Sequence, residues 1–309
     1  MANHGVASIG ECMLELSGGS QTGDWKLGYA GDTFNTLWAL RALTPDETPA
    51  DYVSAFGDDP FSQQQIAFFR QHDIGTAASP VIPGARPGLY AITLDGAERS
   101  FTYWRSDAAA RRLADDTNAL AKSLENRQLI YFSGITLAVL SEAGRSILVN
   151  ALKQARVGGS LIAFDPNYRP RLWPSPDAAR GAIAKALEVT DIALPTFPDE
   201  AELFGDATPA DTARRLAEAG IGEIAVKNGD KSTLLLFEGK TAEIPVEPVS
   251  NPVDTTGAGD SFNGGYLAAR LADDTPDGAA GRAHRVAAAC IKVHGALAPF
   301  EVLRKAFGR

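Results

Sequence analysis

Apolar residues along this chain fall into short continuous runs separated by stretches of helical spacing. VASIG at 6–10 is one such run, closed by Gly10. DYVSAFG at 51–57, QLIYFSG at 128–134 and SLIAFD at 160–165 repeat the form. Runs of this length bounded by turn residues read as strands buried on both faces, as in a parallel sheet. After Asp32 or Thr33, either of which suits an N-cap, Leu37, Leu40 and Leu43 follow at helical spacing. Further helices are predicted near 60–72 and over 141–156. Strand and helix in alternation predict an α/β chain.

Two stretches depart from that alternation. Glu11 to Glu15 read as a half-exposed strand where a dinucleotide-binding fold would place GxGxxG. GLYAITL (88–94) and RSFTYWR (99–105) alternate, and Asp95-Gly96 between them is a hairpin signal. These segments interrupt the alternation of strand and helix within one domain spanning 1–309. Residues 223–246 read as three strands joined by Asn228-Gly229-Asp230 and Glu238-Gly239-Lys240. Helices are predicted from 258 to the end, with an Ala-rich stretch at 282–300 that permits close packing or a flat pocket.

Composition narrows the function. With 309 residues, 45% hydrophobic and 22% charged, the chain can bury one large core. Its net charge of −9 is scattered, which leaves no footprint for nucleic acid. Cys12 and Cys290 form no framework, and a reducing cytoplasm is expected. The four histidines make no zinc pattern. No signal peptide is read at the start, and no apolar run approaches the ~20 residues of a membrane span.

The chemistry-bearing stretch is DTTGAGDSF, from Asp254 to Phe262. Gly257 and Gly259 allow a sharp turn into a helix whose first N–H groups, backed by the helix dipole, suit an anion. Asp260 sits in that turn, either as a helix-start carboxylate or as a proton acceptor beside a phosphate. No GxxxxGK[ST] pattern occurs. On the strand at 99–105, Tyr103 and Arg105 share a face, with Tyr90 on the partner strand. A guanidinium between aromatic rings suits a planar carboxylate, while an edge-strand charge is the bland alternative. The loop after 165 carries Asp165, Asn167, Arg169 and Arg171 beyond a strand's carboxyl end, where ligands of parallel sheets sit.

DTTGAGDSF resembles the C-terminal signature of the PfkB (ribokinase-like) sugar kinases, and GYAGDTFNTLWALRAL (28–43) resembles their N-terminal signature. The resemblance implies a ribokinase-like α/β fold: a central, mostly parallel sheet flanked by helices, with a small β-sheet lid over the sugar whose strands are inserted at about 11–31 and 86–112. It implies ATP and Mg²⁺, with Asp260 as base and the N–H groups of Gly257, Ala258 and Gly259 around the moving phosphoryl group. Gly31, Asp32 and Asn35 match sugar-binding positions, although Ala30 replaces a usual glycine. Lys227, Asn228 and Gly229 match a nucleotide-contacting turn, and Ala289 and Lys292 are looser nucleotide candidates. Asp254 and Thr256 match positions that hold a monovalent cation such as K⁺ in some members. The family's Asn-x-x-Glu is not intact; Thr196 and Phe197 stand where Asn is usual, with Asp199, Glu200 and Glu202 following. YWRxxxAAR (103–111) and DPNYRPRLW (165–173) resemble the branch acting on 2-keto-3-deoxygluconate. That assigns Tyr90, Tyr103, Arg105 and Arg169 to a sugar acid. A neutral ketose or nucleoside kinase, or a silent sensor, are the alternatives. Exposed lid strands suggest a homodimer through the lids.

Overall fold

The structure, a computed structural model, describes residues 4–18, 23–95 and 98–309. Its strands are β1 (Gly5–Ile9), β2 (Met13–Gly18), β3 (Trp25–Ala30), β4 (Ala50–Val53), β5 (Phe56–Gly57), β6 (Val81–Ile82), β7 (Leu89–Asp95), β8 (Glu98–Trp104), β9 (Arg127–Ser133), β10 (Leu161–Asp165), β11 (Ile192–Ala193), β12 (Glu223–Val226), β13 (Thr233–Phe237) and β14 (Lys240–Ile244). Its helices are α1 (Asp32–Leu43), α2 (Pro60–Gln71), α3 (Thr117–Ser123), α4 (Gly134–Val139), α5 (Glu142–Val157), α6 (Pro176–Leu187), α7 (Phe197–Phe204), α8 (Pro209–Glu218), α9 (Ala258–Leu271), α10 (Pro276–Cys290) and α11 (Phe300–Phe307).

Among the described residues the large sheet runs β14-β13-β12-β11-β10-β9-β1-β4, and only β13 and β14 are antiparallel to their neighbours. The continuous apolar runs explain this. Along β9, Leu129 and Tyr131 point into one hydrophobic cluster, with Phe34, Leu37 and Tyr266 of α1 and α9. Ile130 and Phe132 point into the other, with Leu148 of α5 and Ile183 of α6. Successive side chains face opposite sides of a strand, so an all-apolar strand needs helices on both faces. The edge hairpin turns at Glu238 and Gly239, both at positive φ (49° and 73°), as a type I′ turn requires.

The second sheet runs β3-β2-β7-β8. Tyr90 pairs with Tyr103 in the antiparallel register the hairpin pattern predicts; Gly96 of the predicted turn lies outside the described residues. Three expectations need correction. Glu11 and Cys12 are buried and belong to no strand, because they carry the chain from one sheet to the other. The run at 51–57 is two pieces. Ser54 breaks the ladder by giving its hydroxyl to Gly10 O (2.7 Å) and its N–H to Ser79 Oγ (3.1 Å). The N-cap of α1 is Gly31 rather than Asp32 or Thr33. Ala30 is not among the residues at positive φ, so replacing the usual glycine there brings no strain. Among the described residues no helix is long and apolar enough to cross a membrane.

Candidate active site

The parallel strands point their carboxyl ends at one cleft, and four segments deliver polar side chains into it. α9 supplies the first. Gly257, its N-cap, has φ 74°, and a Cβ there would lie 2.6 Å from Ala296 Cβ, so only glycine makes this turn without strain or crowding. The N–H groups of Gly259 and Asp260 donate to no partner among the described residues, while that of Ala258 donates to Thr255 O at 3.3 Å. Asp254 braces the turn from behind. One carboxylate oxygen accepts from Thr256 N–H (3.0 Å) and Thr256 Oγ1 (2.7 Å), the other from Gly295 N–H (2.9 Å).

Asp260 lies in the first turn of α9 and accepts from Asn35 Nδ2 of α1 at 2.8 Å. Asn35 Oδ1 in turn takes the Gly31 N–H at 3.4 Å. Asp32, at the start of α1, accepts from Asn167 Nδ2 at 2.7 Å. Asn167 stands in the loop after β10 at positive φ (34°), fixed by its own N–H donating to Asp165 Oδ1 (3.0 Å). Asp165 Oδ2 accepts from Lys227 Nζ (2.7 Å) and Asn263 Nδ2 (2.8 Å), and Lys227 Nζ also donates to Asn263 Oδ1 (2.8 Å). A polar chain thus runs from α9 through α1 and the β10 loop to the end of β12 and back to α9. Each link satisfies a group that would be costly to bury alone.

These contacts set the proton affinities. Burial pushes Asp260 up to about 7, and the neighbouring Asp32 charge adds to the shift; the Asn35 hydrogen bond and Lys227 oppose it. Asp32 is also raised, mainly by burial. Carboxylates crowded in a protein-walled cleft resist shared ionisation.

Beside the α9 turn opens a cavity of about 470 Å³, bordered by Lys227, Asn228, Gly229, Ala258 and Gly259. Its apolar wall comes from Phe262 and from Ala287, Ala288 and Ile291. The last three recur at helical spacing with His284, so α10 turns one face to the cavity. Ala289 and Lys292 are not among the residues that border it. Lys227 is not a solvated charge: it is buried and held by Asp165 and Asn263.

The arginine that follows β8 has internal company. Arg105, 12% exposed, pairs with Glu11, so it is no edge-strand charge. The Tyr90 hydroxyl donates to Glu15, and the Tyr90 ring lies 5.7 Å from that of the half-exposed Tyr103. Arg169 donates to Asp199 Oδ2 (2.9 Å), in the first turn of α7, and to Tyr168 O. Glu200 has a different partner. It is fully buried against Arg215 (2.7 Å) and raised to about 7 by that burial. Sequence reasoning missed Glu11, Asn263 and Tyr131, whose hydroxyl accepts from Asn263 Nδ2 at 3.1 Å, and left Asp165 without a role. A polar Asn263 inside the small-and-apolar run of α9 was the available signal, since such a residue needs a buried partner.

Comparison with known proteins agrees in extent. The sequence matches the profile described as pfkB family carbohydrate kinase over residues 3–303. It is 38% identical over 310 residues to the 2-dehydro-3-deoxygluconokinase of Dickeya dadantii, covering 98% of this chain and 99% of that one. A crystal structure from E. coli described as ribokinase II, in complex with ATP and Mg²⁺, superposes with a TM-score of 0.84 at 23% identity, covering 99% of each chain. The 2-dehydro-3-deoxygluconokinase of Thermotoga maritima superposes with a TM-score of 0.82 at 21% identity, covering 100% of this chain and 99% of that one. The superpositions show a ribokinase-like fold.

Proposed function

Since the chain belongs to the pfkB family of carbohydrate kinases, we propose that it transfers the γ-phosphoryl group of ATP to the terminal hydroxyl of 2-keto-3-deoxygluconate, giving the 6-phosphate. The observation that carries this reading is Asp260. It is a carboxylate raised to about 7, beside unpaired N–H groups at a helix start and next in sequence to Ala258 and Gly259, which border a nucleotide-sized cavity. A base with proton affinity near working pH is suited to taking the hydroxyl proton as oxygen attacks phosphorus. The N–H groups of Gly259 and Asp260, with the helix dipole behind them, meet the charge on the transferring group. Gly257 makes the turn that aims them, and Ala258 keeps it small.

Asn35 holds Asp260 in place, and Asp32 with Asn35 offers acceptors and donors to sugar hydroxyls. Arg105 and Arg169 supply the cations for the carboxylate, flanked by Tyr90 and Tyr103. The nucleotide's base fits the cavity walled by α10, with Asn228 and Gly229 at its rim.

Among the described residues no cluster of three or more His, Cys, Asp or Glu could cage a metal ion. That fits Mg²⁺ riding on the nucleotide phosphates with most of its waters retained. Asp199 is the carboxylate that would hold it through water. The bound ion would neutralise phosphate charge during transfer. Asp254 and Thr256 are spent on the turn before α9, and we give them that bracing role in place of a monovalent-cation site.

A substrate panel tests the reading. ADP release should be fastest with 2-keto-3-deoxygluconate and at least tenfold slower, in kcat/KM, with fructose, ribose or adenosine, because losing a charge-assisted contact costs about that factor or more. A neutral sugar as best substrate would overturn the sugar-acid assignment.

We read the chain as one unit whose second sheet is the lid, and we propose that a second copy covers its outer face. Trp25, Leu27 and Trp104 share that face through the register Leu27↔Leu16 and Leu89↔Trp104, and each is more than a third exposed. Light scattering should give twice the chain mass of 32.6 kDa, and a Trp104→Glu variant should halve it. A monomeric wild type counts against it.

A further inference from the structure

The chain crosses between the two sheets four times: at Glu11 between β1 and β2, at Gly31 between β3 and α1, at Gly88 ahead of β7, and at Arg105 after β8. Glu11 touches the other three. A Cβ on Gly31 would lie 2.2 Å from the Glu11 carbonyl oxygen, and one on Gly88 would lie 2.4 Å from Glu11 Oε1. The remaining carboxylate oxygen, Oε2, accepts from Arg105 Nη2. The Glu11 side chain is 1% exposed, and the charges of Arg111 and Asp32 both bear on it.

The pair is incomplete. Glu11 Oε1 and Arg105 Nε are both buried without a hydrogen-bond partner. A buried ion pair that leaves an acceptor and a donor unmet is poorly suited to stabilising the fold. Its other consequence is geometric. Gly88 lets the carboxylate lie directly against its backbone, and Gly31 does the same for the Glu11 carbonyl, so the side chain and its own backbone are both held close at the junction. A guanidinium held along one edge keeps its remaining N–H groups in a fixed plane.

We propose that Glu11 is a positioning residue for sugar-acid recognition, clamping Arg105 at the junction of the sheets so that the substrate carboxylate meets a fixed cation. The proposal rests on the reading of Arg105 as a carboxylate-binding residue.

Glu11→Gln keeps the shape and removes the charge. KM for 2-keto-3-deoxygluconate should rise about tenfold, while kcat and KM for ATP stay within about threefold, the pattern of lost substrate binding without lost chemistry. Because Glu11 acts through Arg105, Glu11→Gln placed on Arg105→Ala should add no further rise. A merely structural role would move both KM values together or add to the Arg105→Ala effect. Either result, or an unchanged KM, would overturn the proposal. If Glu11→Gln does not fold, Glu11→Asp, with its shorter arm, should give the same split. A wild-type enzyme that prefers a neutral sugar defeats the substrate reading and this proposal with it. A normal wild-type preference with no shift in the variant defeats Glu11 alone.

Discussion

Asp260→Asn should lower kcat by about 10²- to 10⁴-fold, the usual worth of general-base help, with both KM values nearly unchanged. The amide has the shape of the carboxylate and can still accept from Asn35 Nδ2, so the α9 turn and its N–H groups stay in place. What is lost is the ability to take a proton. The pH profile gives an independent reading. Burial first, then the Asp32 charge, raise Asp260 from 3.8 to about 7. The deprotonated form is the base, so wild-type kcat should climb about tenfold per pH unit below that value and level off above it. The Asn variant should lack that limb. Linkage has the opposite sign. The folded chain holds a proton here that the unfolded chain releases near 3.8, so this group favours the folded state at acid pH. That contribution fades as pH rises and is gone above about 7. Retained wild-type turnover in the variant would remove Asp260 as the base.

Arg105→Ala should raise KM for the sugar acid by about 10- to 100-fold, since a hydrogen bond to a charged group contributes roughly 1.5–3 kcal/mol. KM for ATP should hold, because the cavity assigned to the nucleotide is lined by Thr196 and by residues from Lys227 onward, none of them in the second sheet. The substitution also strands Glu11, 1% exposed, without its cation. Some loss of thermal stability should therefore accompany the kinetic effect, and fitted KM values separate the two. Equal rises for acid and ATP would argue against a carboxylate-binding arginine.

Much of the site could be read from local sequence. The Gly257–Gly259 turn into α9, the α1 face and the β7–β8 pairing each follow from residues close together in the chain, whose backbone preferences and side-chain period act over a few positions. Lys227 shows where that reading stops. Its flanks mark a strand and a turn, which suit a solvated lysine as well as a buried one. Only the approach of Asp165 and Asn263 decides between them. Ala289 and Ala288 are equally plausible as wall residues by composition, and the rotation of α10 against α9 selects the second.

Along the chain alone, the alternating α/β order, the hairpin that interrupts it and a glycine turn carrying an aspartate could all be established. These depend on hydrophobic period and on φ values that few residues tolerate. Tertiary structure alone decided which charges are paired and what proton affinity they hold. Asn35 and Asp260 are 225 positions apart yet 2.8 Å in contact, and Glu11 meets Arg105 across the junction of the sheets. Solvent exclusion and Coulomb interaction depend on distance through space, and no local pattern along the chain records it.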